Sequence, residues 1–233
     1  LYKNFNILEK IGYKLFIAYL KRWDINSASN VDLIIANSDF VQKRIQKYWK
    51  KSSVVINPSI NLSLFANTSE DNGYYIVVSE LVSYKRIDLV IEVFNKNNKK
   101  VIIIGDGPLF EDYKSISKPN IKYTGYLDDD KKIEVLSKSK ALIFPGIEDF
   151  GIVPLEAMAC GKPIVAFNGG GAVEYMKDGI NAKLFNHQTP KSLSNAIEEF
   201  ELEYHSYDAN AILDTIKKYS NDNFKSKFKN HVD

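Results

Sequence analysis

A chain of 233 residues, 45% apolar and 26% charged with a formal net charge of +2, has the composition of a globular α/β domain, or of one domain with part of another. It has no run of 18 or more apolar residues, no signal-peptide layout in the opening Leu1-Tyr2-Lys3-Asn4, and one cysteine, Cys160. A membrane-spanning helix and an internal disulfide framework are therefore excluded, a reducing cytoplasmic setting is expected, and the scattered His and Cys predict no metal site.

Charge is uneven along the chain. Residues 1–56 hold ten Lys/Arg against four acids, so the remainder is net acidic. A basic, aromatic-rich leading segment suits either a solvated helix face or peripheral contact of residues 1–56 with an anionic membrane surface at its cytoplasmic face. No helix-turn-helix, RNA-binding or zinc pattern accompanies it, so no nucleic-acid partner is expected.

In chain order, residues 2–29 are expected to be helical, with Ile11, Leu15, Ala18, Tyr19, Arg22 and Trp23 at helical spacing. Strands are expected at 31–36 and 52–56, around a helix over 39–49 capped by Asn37-Ser38. Trp23 and Trp49 read as packing residues, and 57–72, rich in Asn, Ser and Pro, reads as a linker. Beyond it, apolar strands at 74–78, 101–104, 120–124, 141–144, 163–167 and 182–185 alternate with helices. The helices are expected over 88–95, after Gly107-Pro108, over 128–137, around 156–160, after Gly171, over 190–203 and over 208–228. The pattern predicts an α/β fold with a doubly wound parallel sheet and helices on both faces.

Ligands of such a sheet sit beyond the carboxyl ends of its strands. Three glycine turns follow strands and so share that edge: Gly105/Gly107, Gly146/Gly151 and Gly169-Gly170-Gly171. Gly105-Asp106-Gly107-Pro108 lacks the third glycine of a dinucleotide fingerprint, which disfavours a nicotinamide-dependent dehydrogenase. The central stretch runs from Pro145 to Ala157, with Glu148 before its turn and Glu156 in the following helix, eight positions apart. A strand, a Gly turn and a helix N-terminus aim backbone N–H groups at an anion. The residues fit a diphosphate at the turn with hydroxyl groups held by an acid on either side.

The segment Glu148-Asp149-Phe150-Gly151-Ile152-Val153-Pro154-Leu155-Glu156-Ala157 resembles the E-x7-E signature of retaining glycosyltransferases of family 4, which have the GT-B fold. The resemblance continues through Cys160-Gly161-Lys162-Pro163, Gly169-Gly170-Gly171 and Asp178-Gly179. Upstream it takes in Tyr84-Lys85-Arg86, Gly105-Asp106-Gly107-Pro108, Gly125-Tyr126-Leu127, Ala36-Asn37-Ser38 and Asn57-Pro58. It implies a Rossmann-like, C-terminal donor half of a GT-B enzyme, with residues 1–64 the end of the acceptor-side domain plus linker, 65–205 the donor-binding domain and 206–233 a C-terminal helix.

The family likeness also implies a nucleotide-diphosphate-sugar donor, a glycan or lipid-linked acceptor, and neither cofactor nor metal. Glu148 would meet the donor sugar and Lys85 the diphosphate, as the catalytic pair. Glu156 would take the ribose hydroxyls, backbone at Phe150, Gly151 and Ile152 the diphosphate, and Gly125, Tyr126 and Leu127 would border the base. Family members carry Arg five residues before the motif lysine, where this chain has Glu80, an acid that repels diphosphate unless it is turned away or paired. Arg86, beside Lys85, is the expected substitute cation. Polysaccharide or lipid-linked glycan synthesis with a mannosyl donor is the implied setting, and this chain alone, lacking most of an acceptor domain, is expected to be inactive in transfer. The alternatives are a non-catalytic nucleotide-sugar-binding module, or an epimerase or phosphorylase of the same fold.

Overall fold

The computed structural model describes residues 6–232, which form two compact units divided between Ile56 and Asn57. In the first unit, α1 (Ile7–Ser29) opens on a capping box. The Glu9 N–H donates to the Asn6 side chain at 2.9 Å, and the Asn6 N–H donates to the Glu9 carboxylate at 2.7 Å. Residues 2–5 of the expected helix lie outside the described residues. Trp23 is 59% exposed and so is not the packing residue expected of it, whereas the half-buried Trp49 donates its indole N–H to Asp24 at 2.8 Å.

The two strands expected here shrink to β1 (Ile35–Ala36) and β2 (Val54–Val55), paired in parallel with each other. With no second neighbour in the unit to hold the flanking residues, pairing stops after two positions. Between them α2 (Asp39–Tyr48) starts at Ser38, whose hydroxyl accepts from the Val41 N–H at 3.1 Å.

The second unit carries the sheet: β3 (Tyr74–Val78), β4 (Lys100–Ile104), β5 (Ile121–Gly125), β6 (Ala141–Phe144), β7 (Ile164–Phe167) and β8 (Ala182–Phe185). All pairings are parallel and the order is β5-β4-β3-β6-β7-β8. Because successive strand residues point to opposite faces, one core layer gathers Tyr75, Val77 and Ile103, and the other Ile76, Ile104 and Leu142. The first layer is covered by α3 (Ile87–Asn97), α4 (Phe110–Ser115) and α7 (Pro190–Glu203). The second is covered by α5 (Asp129–Ser137), α6 (Ile152–Ala159) and α8 (Ala209–Ile216). The fold is the expected doubly wound α/β sheet, and anchors such as Phe94 and Phe200, both fully buried, contribute about 1.5–3 kcal/mol each by burial.

Three expectations are corrected. Residues 57–72 are not a free linker: Ile60 is buried and donates its N–H to the Tyr219 carbonyl at 3.0 Å, and Asn72 donates to the Lys138 carbonyl at 3.0 Å. That pairing with Ile60 also breaks the helix expected over 208–228, which becomes α8, a 3₁₀ turn at Lys217–Tyr219, and α9 (Asn221–Val232). The helix expected after Gly171 is a single 3₁₀ turn, Ala172–Glu174.

Strand order reverses direction between β3 and β6, the topological switch point of an open parallel sheet. Those two strands pair only at Tyr75↔Ala141 and Ile76↔Leu142. β3 stays with β4 as far as Val78, and β6 with β7 as far as Phe144, so the middle of the sheet parts before its carboxyl ends. A crevice opens there.

The opposite edge is tied by one carboxylate. Glu201 on α7 accepts from the Tyr75 hydroxyl at 2.6 Å, from Lys99 at 2.9 Å and from Lys140 at 2.5 Å, joining the amino ends of β3, β4 and β6. Burial raises its pKa, but the hydrogen bonds from Lys140, Tyr75 and Lys99 outweigh that and hold it down from 4.5 to about 2. Folded Glu201 thus stays ionised well below the pH at which the unfolded chain protonates it. Its contribution is complete above that unfolded value and is lost as pH falls towards 2. Glu201→Gln is expected to lower unfolding stability at pH 7 by about 2 kcal/mol. It should also flatten the loss of stability between pH 5 and pH 2, as read by urea denaturation across that range.

Candidate functional site

The loop leaving β3 and the turn leaving β6 face each other across the crevice. Lys85 ends a 3₁₀ turn, Ser83–Lys85, in the first, and Glu148 lies in the second. Their side chains are 19% and 23% exposed, and the Lys85 ammonium donates to Glu148 Oε1 as an ion pair. Burial lowers the Lys85 pKa from its ordinary value, and the charge of Glu80 opposes that shift.

Glycine makes this approach geometrically open. A Cβ on Gly146 would stand 3.1 Å from the Lys85 backbone, so any other residue would require the facing loop to give by a few tenths of an ångström. Gly170 has φ +83°, and a Cβ there would lie 2.6 Å from the Glu148 carbonyl oxygen. That carbonyl accepts from the Gly171 N–H at 2.8 Å, which clamps Glu148 from the turn after β7. The glycine turns after β6 and β7 thus act together on one carboxylate.

Gly151, at φ +81°, leads into α6 and offers no side-chain cap. The first-turn N–H groups of Ile152 and Val153 are left for other acceptors, with the helix dipole behind them. Phe150 contributes backbone only, because its ring is buried edge-on to Tyr175 and Tyr219 at 5.3 and 5.6 Å. The Tyr175 hydroxyl fixes the turn by donating to the carbonyls of Phe150 and Gly151 at 3.0 and 2.5 Å.

One turn further along α6, Glu156 accepts at Oε1 from Lys132 Nζ at 2.9 Å, while Oε2 is buried and has no hydrogen-bond partner. Lys132 was not among the sequence candidates. Its only signal is a lysine facing inward from an otherwise acidic first turn of α5, at Asp128, Asp129 and Asp130.

On the far side of the crevice Gly125, at φ +69°, accepts from the Gly105 N–H at 2.9 Å. Tyr126 is 82% exposed, and Leu127 packs against the core layer of α5 and α6. Arg86, the expected substitute cation, is held by near neighbours in this ligand-free chain. Its guanidinium is committed to Asp88 at 3.1 and 3.0 Å and to the Gln188 carbonyl at 3.4 Å, and its backbone is left-handed at φ +58°. Glu80 is exposed to solvent.

Residues 59–222 match the family described as glycosyl transferases group 1. The chain belongs to that family. It is 28% identical over 178 residues to an uncharacterized glycosyltransferase of Methanocaldococcus jannaschii, an alignment covering 74% of this chain and 50% of the relative. It is 26% identical over 227 residues to the α-1,3/1,6-mannosyltransferase ALG2 of Saccharomyces cerevisiae, covering 73% of this chain and 44% of that protein. The chain spans about half the length of the curated relatives it matches. Among solved structures, Anabaena HepE in complex with UDP and glucose superposes with a TM-score of 0.80 at 21% identity, over 91% of this chain and 66% of that one. At that identity the likeness shows the fold.

Gly170→Ala is expected to cost about 2 kcal/mol or more, because it adds a clash with Glu148 to a left-handed backbone. Gly179→Ala, at φ +75° with nothing within 4 Å of the added Cβ, should cost about 1 kcal/mol from backbone strain alone. Chemical denaturation of the two variants checks the difference, and equal losses would show that Gly170 does not crowd Glu148.

Proposed function

We propose that residues 57–233 of this group 1 glycosyl transferase hold a nucleotide-diphosphate-sugar donor, and that the whole protein transfers the sugar with retention to a glycan or lipid-linked acceptor. The observation that carries this reading is the ion pair of Lys85 with Glu148 across the switch-point crevice, beside the uncapped N-terminus of α6. A diphosphate at that N-terminus replaces Glu148 as the partner of Lys85. Glu148 then turns to the sugar hydroxyls, and Glu156 accepts from the ribose. As the sugar–oxygen bond breaks, Lys85 and the α6 N–H groups offset the charge growing on the departing diphosphate. The incoming hydroxyl attacks from the face the diphosphate leaves and gives its proton to the departing phosphate oxygen, which preserves configuration without an enzymatic nucleophile. The exposed Tyr126 ring borders the base, together with Gly125 and Leu127.

The mannosyltransferase relatives support a mannosyl donor. In this reading the first unit is the tail of an acceptor-side domain, and its basic, apolar-studded α1 suits an anionic membrane surface; no described helix is long and apolar enough to cross one. The 233 residues alone are expected to bind donor without transferring sugar. A non-catalytic nucleotide-sugar-binding module is the second reading, favoured by the acid at Glu80.

Calorimetric titration with GDP-, UDP- and ADP-sugars tests the site. One class of donor is expected to bind, Glu156→Ala to weaken it by at least about tenfold, and Glu148→Ala to act on the preference among sugars more than on the bare nucleoside diphosphate. An absence of binding across the panel would overturn both readings.

A further inference from the structure

Lys132 belongs to none of the motifs that point to the donor site, yet it is built into it. Its side chain is 16% exposed and that of Glu156 13%, so the pair at 2.9 Å is largely withdrawn from water. The second partner of Lys132, Asp129 at 3.0 Å, is 84% exposed. A carboxylate withdrawn from water to that degree is costly to leave without a cationic or hydrogen-bonding partner, and α5 supplies one from outside α6. Burial alone would lower the Lys132 pKa; the hydrogen bonds to Glu156 and Asp129 outweigh it, so the net shift is upward and the ammonium is retained.

The second observation is Glu156 Oε2, which is buried and lacks a hydrogen-bond partner. Leaving such an acceptor unpaired is costly, and a ligand hydroxyl removes the cost. We propose that Lys132 is a positioning residue for nucleoside recognition: by holding Oε1 of Glu156 it leaves Oε2 as the acceptor for a ribose hydroxyl of the donor. This deepens the donor-site reading and rests on it. With Oε1 tethered, the carboxylate can swing only about the Lys132 contact when a ligand enters, so Oε2 meets the sugar in one orientation. Without the tether, the carboxylate is free to turn away from that orientation, and hydroxyl recognition is lost while diphosphate contacts at Lys85 and α6 remain.

The test uses the 233-residue chain. UDP, GDP and ADP are titrated, and the tightest binder is compared with its 2′-deoxy and 3′-deoxy forms. The unsubstituted chain should prefer the ribonucleotide by about tenfold over at least one deoxy form. Lys132→Met should bring that ratio close to one, Lys132→Arg should keep most of it, and Asp129→Asn should leave it unchanged. If Lys132→Met does not fold, Lys132→Gln serves the same purpose. A purely structural staple between α5 and α6 would instead lower the melting temperature and leave the ratio intact, which would overturn the proposal. No discrimination by the unsubstituted chain would also overturn it while sparing the diphosphate site. If none of the three diphosphates binds, the donor-site reading itself fails and the proposal falls with it.

Discussion

β3 and β6 share two register positions and then separate, and the chemistry of the crevice depends on that parting. Each strand is held to its outer neighbour up to its last residue. The amino edge takes the opposite role. There Glu201 gathers Tyr75, Lys99 and Lys140 and prevents the same two strands from parting at both ends. A sheet closed at one edge and split at the other presents its loops as two facing lips. Gly146 and Gly170 then let those lips come within side-chain reach.

Without ligand, each of the two motif carboxylates already has a lysine. Glu148 pairs with Lys85 and Glu156 with Lys132, each lysine arriving from a different segment. Fully exposed ion pairs contribute little, but these groups are mostly withdrawn from solvent, where an unpaired charge is costly. Under the donor reading, binding is an exchange of partners. The diphosphate takes over Lys85, which releases Glu148 towards the sugar, so sugar recognition is coupled to diphosphate binding through one ammonium. The Lys132–Glu156 pair has a spare acceptor and need not break.

The second unit was largely legible in the sequence because most of its strands are short apolar runs, a pattern that burial on both sheet faces imposes, and three of them close at Gly105, Gly125 or Pro145. Glu148, Glu156 and Lys85 were legible because their motifs are local, each set by a strand end and the turn that follows. What was hidden depended on partners distant in sequence. Nothing near Tyr219 says that its carbonyl will be taken by Ile60, yet that bond is what splits the closing helix. Lys132 lies 24 residues from Glu156, and an inward lysine in an acidic turn reads as an ordinary surface residue. Arg86 shows the reverse: Asp88, two residues on, was a nearer claim on the guanidinium than any diphosphate.

Glu80 sets the balance at the mouth of the site. Burial lowers the Lys85 pKa, and the charge of Glu80 opposes that shift only in part. The same acid repels a diphosphate. The exposed Glu80 acts largely through water, where a charge pair is worth about 1 kcal/mol or less. A half-buried lysine in direct contact with phosphate oxygen is screened far less, so its attraction exceeds the repulsion. Under the donor reading, an arginine at position 80 would add a second clamp on the phosphates. In this chain, under the same reading, Lys85 carries the diphosphate contact that a pair of cations would otherwise share.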